Sequence, residues 1–355
     1  MAPRSARATI RCLMLVSVIL LPNAPTVALA DEATPTRLCQ GYAGLPQPDE
    51  QPHAGMVWIP GGAFTMGDDE ERGEERAAHE VTVSGFWIDR HEVTNAQFAK
   101  FIEATGYQTV AERGLDPKDR PDLPPELLVP GSTVFHQPDS LLNLVDLSQW
   151  WRYVPGANWR HPTGPDSSIE GKANLPVVDV AYEDALAYAR WLGRELPTEA
   201  QWEFAARGGL SAATYAWGED YYNPVEGWRA NSWQGTFPLK DGGDDGYRNT
   251  APVGCYAANG NGLFDMIGNV WEYAADWYLP GHPSASATDP KGPPREVAAG
   301  YSGPAGPLVV IKGGSWLCSP NFCSRYRPAA RQPQELSLGA SHLGFRTVIN
   351  SPPPE

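Results

Sequence analysis

The segment Leu196-Pro197-Thr198-Glu199-Ala200-Gln201-Trp202-Glu203 specifies a helix start through its chemistry alone. Thr198 and Gln201 have the spacing of a reciprocal capping box. Trp202, Ala205 and Ala206 follow on one face, and Gly208 ends the run. Working outward, Thr94-Asn95-Ala96-Gln97 repeats the box ahead of Phe98, Phe101 and Ile102, with Gly106 as its stop. A third helix is predicted from about Tyr182 to Leu192, with Ala185, Ala189 and Leu192 inward and Gly193 closing it. Between these helices lie short β-branched and aromatic runs separated by turn residues. Met56–Gly62, His79–Val83, Phe86–Ile88, Leu308–Ile311 and Leu343–Val348 read as strands. The chain is therefore expected to be α+β: one loop-rich domain over 55–350 with little regular secondary structure.

Composition supports that reading. Gly 36 and Pro 35 in 355 residues, with Trp 13 and Tyr 14, suit ordered loops around a compact core and not a helical bundle. Residues 107–170, with Pro117, Pro121, Pro124 and Pro125, read as a long loop region, and 31–54 as an extended arm. Residues 1–30 carry Arg4, Arg7 and Arg11, an apolar run from Cys12 to Leu21, and Ala28-Leu29-Ala30. That pattern is a secretory signal peptide cleaved near Ala30, which places the mature chain outside the cytoplasm. No later apolar run is long enough to span a bilayer. A formal charge of −15, made more negative by loss of the leader's arginines, excludes nucleic acid as a partner. The protein is expected to be a monomer.

Chemistry concentrates late in the chain, in Lys312-Gly313-Gly314-Ser315-Trp316-Leu317-Cys318-Ser319-Pro320-Asn321-Phe322-Cys323-Ser324-Arg325. The spacing of Cys318 and Cys323 taken alone favours a short-range structural disulfide, as an exported protein readily forms. Zinc would need two further ligands, and the histidines have no paired spacing. Ser315 caps a turn or takes part in chemistry, and the residues alone leave both readings open. Cys39 and Cys255 form a disulfide or stay as two buried thiols.

Pro60-Gly61-Gly62-Ala63-Phe64-Thr65-Met66-Gly67, Glu92-Val93-Thr94-Asn95, the opening segment, Gly268-Asn269-Val270-Trp271-Glu272 and Gly344-Phe345-Arg346 resemble the formylglycine-generating enzyme (sulfatase-modifying factor) superfamily. The stretch from Val154 to Pro162, with Trp159-Arg160-His161-Pro162, and the paired cysteines resemble its true formylglycine-generating branch. The resemblance implies a C-type-lectin-like fold. It also implies oxidation, by molecular oxygen, of a cysteine in a Cys-x-Pro-x-Arg-like segment of an unfolded sulfatase to Cα-formylglycine. It makes Cys318 and Cys323 ligands of Cu(I), with Ser315 in the active site and Trp159 near the substrate. Soft thiolates suit Cu(I), and the chemistry of dioxygen calls for a redox cofactor.

The resemblance further implies two structural calcium sites. One set is Asn231, Ser232, Asp245 and Tyr247, with Glu92 as a further candidate; the other is Asp265, Gly268, Val270 and Glu272. Mixed carboxylate, amide and carbonyl oxygens suit such a cation. Two departures stand out. Ala189, Ala206, Pro328 and Thr347 occupy the positions of two vertebrate disulfides, so both bonds are absent as whole pairs. His342 stands where an asparagine is expected, at a position able to alter specificity. The alternatives are an exported tailoring oxidoreductase of the same superfamily acting on a peptide metabolite, and a non-catalytic C-type-lectin-like binding module that needs neither cysteine.

Overall fold

The alternating runs after Met56 form strands β1 (Met56–Ile59), β2 (Gly62–Met66), β3 (His79–Val83) and β4 (Phe86–Asp89). β1 pairs antiparallel with β4, and β2 with β3. Thr94 then opens helix α1 (Asn95–Thr105) with both halves of its capping box, and Gly106 closes it at φ 65°. The computed structural model describes residues 53–351 apart from 119, 141, 142, 212, 224–226, 304 and 305. The signal peptide over 1–30, Cys39 and nearly all of the arm lie outside the described residues. Among the described residues no helix is long and apolar enough to cross a membrane.

Residues 107–170 hold more regular structure than their prolines suggest. Thr109 and Glu112 form a third capping box at the short helix α2 (Val110–Arg113). β5 (Gly131–Phe135) and β6 (Trp151–Pro155) then pair as an antiparallel ribbon. Helices α3 (Tyr182–Trp191) and α4 (Glu199–Arg207) follow within a residue or so of their sequence-based ends. Phe98 and Phe101 of α1 pack on Tyr188 of α3, and Phe98 also meets Phe345 edge-on. Full burial of such side chains stabilises the fold by roughly 1.5–3 kcal/mol each.

The small ribbon of β7 (Tyr222–Asn223) and β8 (Gly227–Trp228) precedes the main sheet. That sheet is built on β9 (Trp271–Trp277). After β10 (Ala287–Thr288), α5 (Arg295–Ala298) and β11 (Ser302–Gly303) comes β12 (Gly306–Lys312), which lies between β9 and β13 (Arg331–Glu335). The expected strand over 343–348 divides into β14 (Leu343–Gly344), parallel to β9, and β15 (Val348–Ile349), on β4. Between them Phe345 and Thr347 turn their carbonyls to the N–H groups of Val93 and Asp89.

A buried ion cluster joins α4 to the sheet. Lys312 of β12 contacts Glu199 and Glu203 at 3.4 and 3.0 Å, and Arg331 of β13 forks onto Glu199 at 2.7 and 2.8 Å. Burial would raise Glu199, but the charges of Arg331 and Lys312 more than offset it and hold it at about 2. The cluster fixes the end of β12, and the loop with both cysteines begins immediately after it.

Candidate active site

Two glycines shape that beginning. Gly313 and Gly314 have φ of 92° and 75°, a region that side chains rarely adopt. A Cβ on Gly314 would meet the backbone of Arg325 at 2.8 Å, and one on Gly313 would meet Trp202 at 2.9 Å. The chain therefore turns tightly and places Ser315, which is completely buried, in the wall of a cavity of about 280 Å³. The Cys318 N–H donates to the Ser315 carbonyl, and the Cys323 N–H to that of Ser319, so successive tight turns bring both thiols inward. Trp150, Trp151, Phe237, Trp271 and Phe322 supply aromatic walls. Phe322, the residue before Cys323, stacks on Phe237 with ring centroids 4.4 Å apart.

Cys318 and Cys323 are free thiols in the structure, with Sγ atoms 2.8 Å apart. Burial, then the neighbouring Cys323, push the Cys318 thiol well up. For Cys323 the hydrogen bond from Cys318 is the largest influence. With the charge of Arg325, it outweighs burial and lowers the thiol. The pair therefore favours one thiolate on Cys323 and one proton on Cys318, the state in which sulfur is both nucleophile and soft metal ligand. Arg325 places Nη1 4.0 Å from the Cys323 sulfur and spends its other nitrogens on Glu74. Two converging buried sulfurs, one favouring thiolate, beside an open cavity form a donor set that fits Cu(I).

Sequence reasoning missed Arg325, Trp151, Trp271 and Gln332 as cavity residues. Their strand and loop positions carry no local signature. Ser315 and His342 do line the cavity together, with Ser315 Oγ 3.2 Å from His342 Nδ1. Trp159 does not. It sits in the core, edge-on to Phe98 at 5.3 Å, with the Arg160 guanidinium over its ring. Its indole completes the packing around α1 and is absent from the residues that line the cavity.

The oxygen sets expected for calcium are disposed unevenly. In the first, Asp245 accepts from the N–H groups of Ser232 and Tyr247 at 2.9 and 3.0 Å, so these three share one loop cluster. Asn231 joins it to the interior by donating to Asn269 Oδ1, and Asn269 donates in turn to Glu92 Oε1. Glu92 Oε2 is buried and has no hydrogen-bond partner among the described residues, and burial, then the charge of Asp265, raise this carboxyl well above its ordinary range. In the second set, Glu272 fits poorly as a cation ligand. Both its oxygens are taken, by the Arg346 guanidinium at 2.6 and 2.7 Å and the Trp202 indole N–H at 2.9 Å. Asp265 accepts from the Gly254 N–H at 2.6 Å, while Gly268 adopts φ 82° against the backbone of Asn231 and Val270 is buried. Among the described residues no three His, Cys, Asp or Glu side chains converge as a metal cluster. Cys255 is disulfide-bonded.

Known proteins give this geometry a context. The family described as "Sulfatase-modifying factor enzyme 1-like domain" matches residues 42–351. A Mycobacterium tuberculosis protein named "Formylglycine-generating enzyme" is 50% identical over 83% of this chain and 97% of its own length. A mouse protein named "Inactive C-alpha-formylglycine-generating enzyme 2" is 37% identical over 84% of this chain and 87% of its own. Similarity over the whole domain therefore spans relatives named active and inactive, and the reactive groups have to decide between them. Among solved structures, PvdO from Pseudomonas aeruginosa superposes with a TM-score of 0.55 at 25% identity, covering 86% of this chain and 97% of that one.

Proposed function

The chain belongs to the sulfatase-modifying factor enzyme 1-like family, and from that premise we propose that it oxidises a cysteine of an unfolded sulfatase, in a Cys-x-Pro-x-Arg-like segment, to Cα-formylglycine with molecular oxygen. The observation that carries this reading is the unbonded pair of Cys318 and Cys323 facing an aromatic cavity large enough for a guest side chain. A binding module has no need of two buried reduced sulfurs held beside a guanidinium.

Cys318 and Cys323 would hold Cu(I), which when bound supplies the one-electron chemistry that lets dioxygen react with a closed-shell thiol. The chain's own groups do the rest. The tryptophan and phenylalanine walls exclude water and bury the guest's β-carbon. Arg325 holds negative charge on Cys323. Ser315 offers its hydroxyl oxygen to the guest from the cavity wall. Raising the guest β-carbon from thiol to aldehyde level releases two electrons, with water supplying the aldehyde oxygen and the sulfur leaving as hydrogen sulfide; reduction of dioxygen to two waters takes four, so a thiol reductant must supply the other two. We place this activity outside the cytoplasm, on the strength of the leader-like residues 1–30. Calcium bound at the Asp245 cluster would be structural.

The test is incubation of the copper-loaded protein with a Cys-x-Pro-x-Arg peptide, oxygen and dithiothreitol. Aldehyde formation at the peptide cysteine, blocked when oxygen is removed, supports the proposal. A peptide left intact by fully loaded protein overturns it, and a peptide still bound by the Cys323→Ser variant would then favour the non-catalytic module.

A further inference from the structure

We infer that His342 is a positioning residue that turns the hydroxyl proton of Ser315 inward and so fixes Ser315 Oγ as a hydrogen-bond acceptor toward the guest thiol. The guest is that of the function proposed above; the proton arrangement stands apart from it.

Ser315 is completely buried, and a buried hydroxyl that fails to donate is costly. Among the described residues its polar neighbours are the Leu317 N–H, 3.3 Å from Oγ, and His342 Nδ1 at 3.2 Å. The Leu317 amide can only donate, so it occupies one lone pair of the oxygen and offers no acceptor. The hydroxyl proton therefore goes to Nδ1, which makes His342 the tautomer protonated on Nε2. One lone pair remains on Oγ, and Ser315 lines the same cavity as both cysteines. An S–H entering that cavity meets an acceptor, whereas a carbonyl or carboxylate meets a lone pair.

The imidazole is held for this task. Its ring lies against Trp151 with centroids 4.7 Å apart, and its backbone carbonyl accepts from the Trp271 N–H at 2.9 Å. Burial lowers it to about 3, so it stays a neutral acceptor and does not become an imidazolium that would reverse the bond. A base held that low cannot store the guest's proton, so its role is orientation.

The full-length protein labelled with nitrogen-15 at histidine provides the direct test. Nδ1 of His342 should resonate as an unprotonated acceptor and Nε2 as a protonated nitrogen, with the Nδ1 signal moving in Ser315→Ala. A protonated Nδ1 in the wild type overturns the inference. Turnover supplies a second reading. His342→Phe retains a ring against Trp151 but no acceptor, and kcat for the Cys-x-Pro-x-Arg peptide should fall about tenfold. His342→Asn, whose amide oxygen can accept the same hydroxyl, should recover to within about threefold of wild type. Equal impairment of the Phe and Asn variants, or none in either, contradicts the assignment. Wild-type protein inert toward the peptide would sink the proposed reaction, while the nitrogen resonances would still decide the proton arrangement.

Discussion

The sulfurs of Cys318 and Cys323 lie 2.8 Å apart with no bond between them, and the Arg325 guanidinium places Nη1 4.0 Å from the Cys323 sulfur. The two thiols are therefore unequal in charge, and both line the cavity. If both are ligands, replacing either with serine should abolish peptide oxidation. The loss should exceed the roughly 10–100-fold that removal of a supporting partner costs a metal site. Stopped-time mass analysis of the peptide, with thermal unfolding as the control for folding, checks this. A Cys318→Ser variant retaining more than a tenth of wild-type turnover would remove Cys318 from the mechanism.

Glu199 is expected to be structurally costly to neutralise. Glu199→Gln leaves Lys312 and Arg331 buried with one fewer countercharge, and should destabilise the protein by about 3–5 kcal/mol. Urea unfolding measures it. A change below about 1 kcal/mol would show that water reaches the cluster.

His282 gives a pH signature. Burial lowers it to about 4, with the charge of Glu199 acting in the opposite direction. Its folded state is thus held neutral where the unfolded chain already takes a proton. The associated stability is fully present above about pH 6.5 and is lost as pH falls toward 4. Asp276, raised to about 7 mainly by burial, has the opposite slope between about 4 and 7, so the two must be separated by mutation. The stability difference between wild type and His282→Gln should shift by about 2–3 kcal/mol toward the variant from pH 7 to pH 4. A pH-independent difference contradicts the shift.

Calcium can be separated from charge pairing. If the Asp245 cluster binds the ion, chelation should lower the melting temperature, and Asp245→Ala should erase that dependence. Glu272→Gln should destabilise the protein by about 3–5 kcal/mol whether or not calcium is present, because its loss strands Arg346. A Glu272 variant whose defect vanishes under chelation would restore it as a ligand.

The parts of this fold legible in the sequence are those set by neighbours along the chain. Thr94 and Thr198 announce their helices because each capping box closes within four residues, and Gly106 and Gly208 end them for a local reason. Thr109 carries the same signal, yet the prolines that follow disguise it. The pairing of Phe135 with Trp151 is not local, and nothing within either strand names its partner. The site divides in the same way. Ser315, Cys318 and Cys323 share one loop and could be read together, whereas His342 and Trp151 arrive from distant segments. Trp159 and Glu272 show the converse: the residue types suit a site, but packing on Phe98 and pairing with Arg346 settle their positions.

The most direct test is an anaerobic titration of the reduced, full-length protein with Cu(I) against a competing chelator, followed by mass analysis of the intact chain. One copper held per chain, lost in Cys318→Ser and in Cys323→Ser, is the predicted result. A chain that ignores copper, with Cys318 and Cys323 found covalently joined and resistant to reduction in the folded state, would contradict the account.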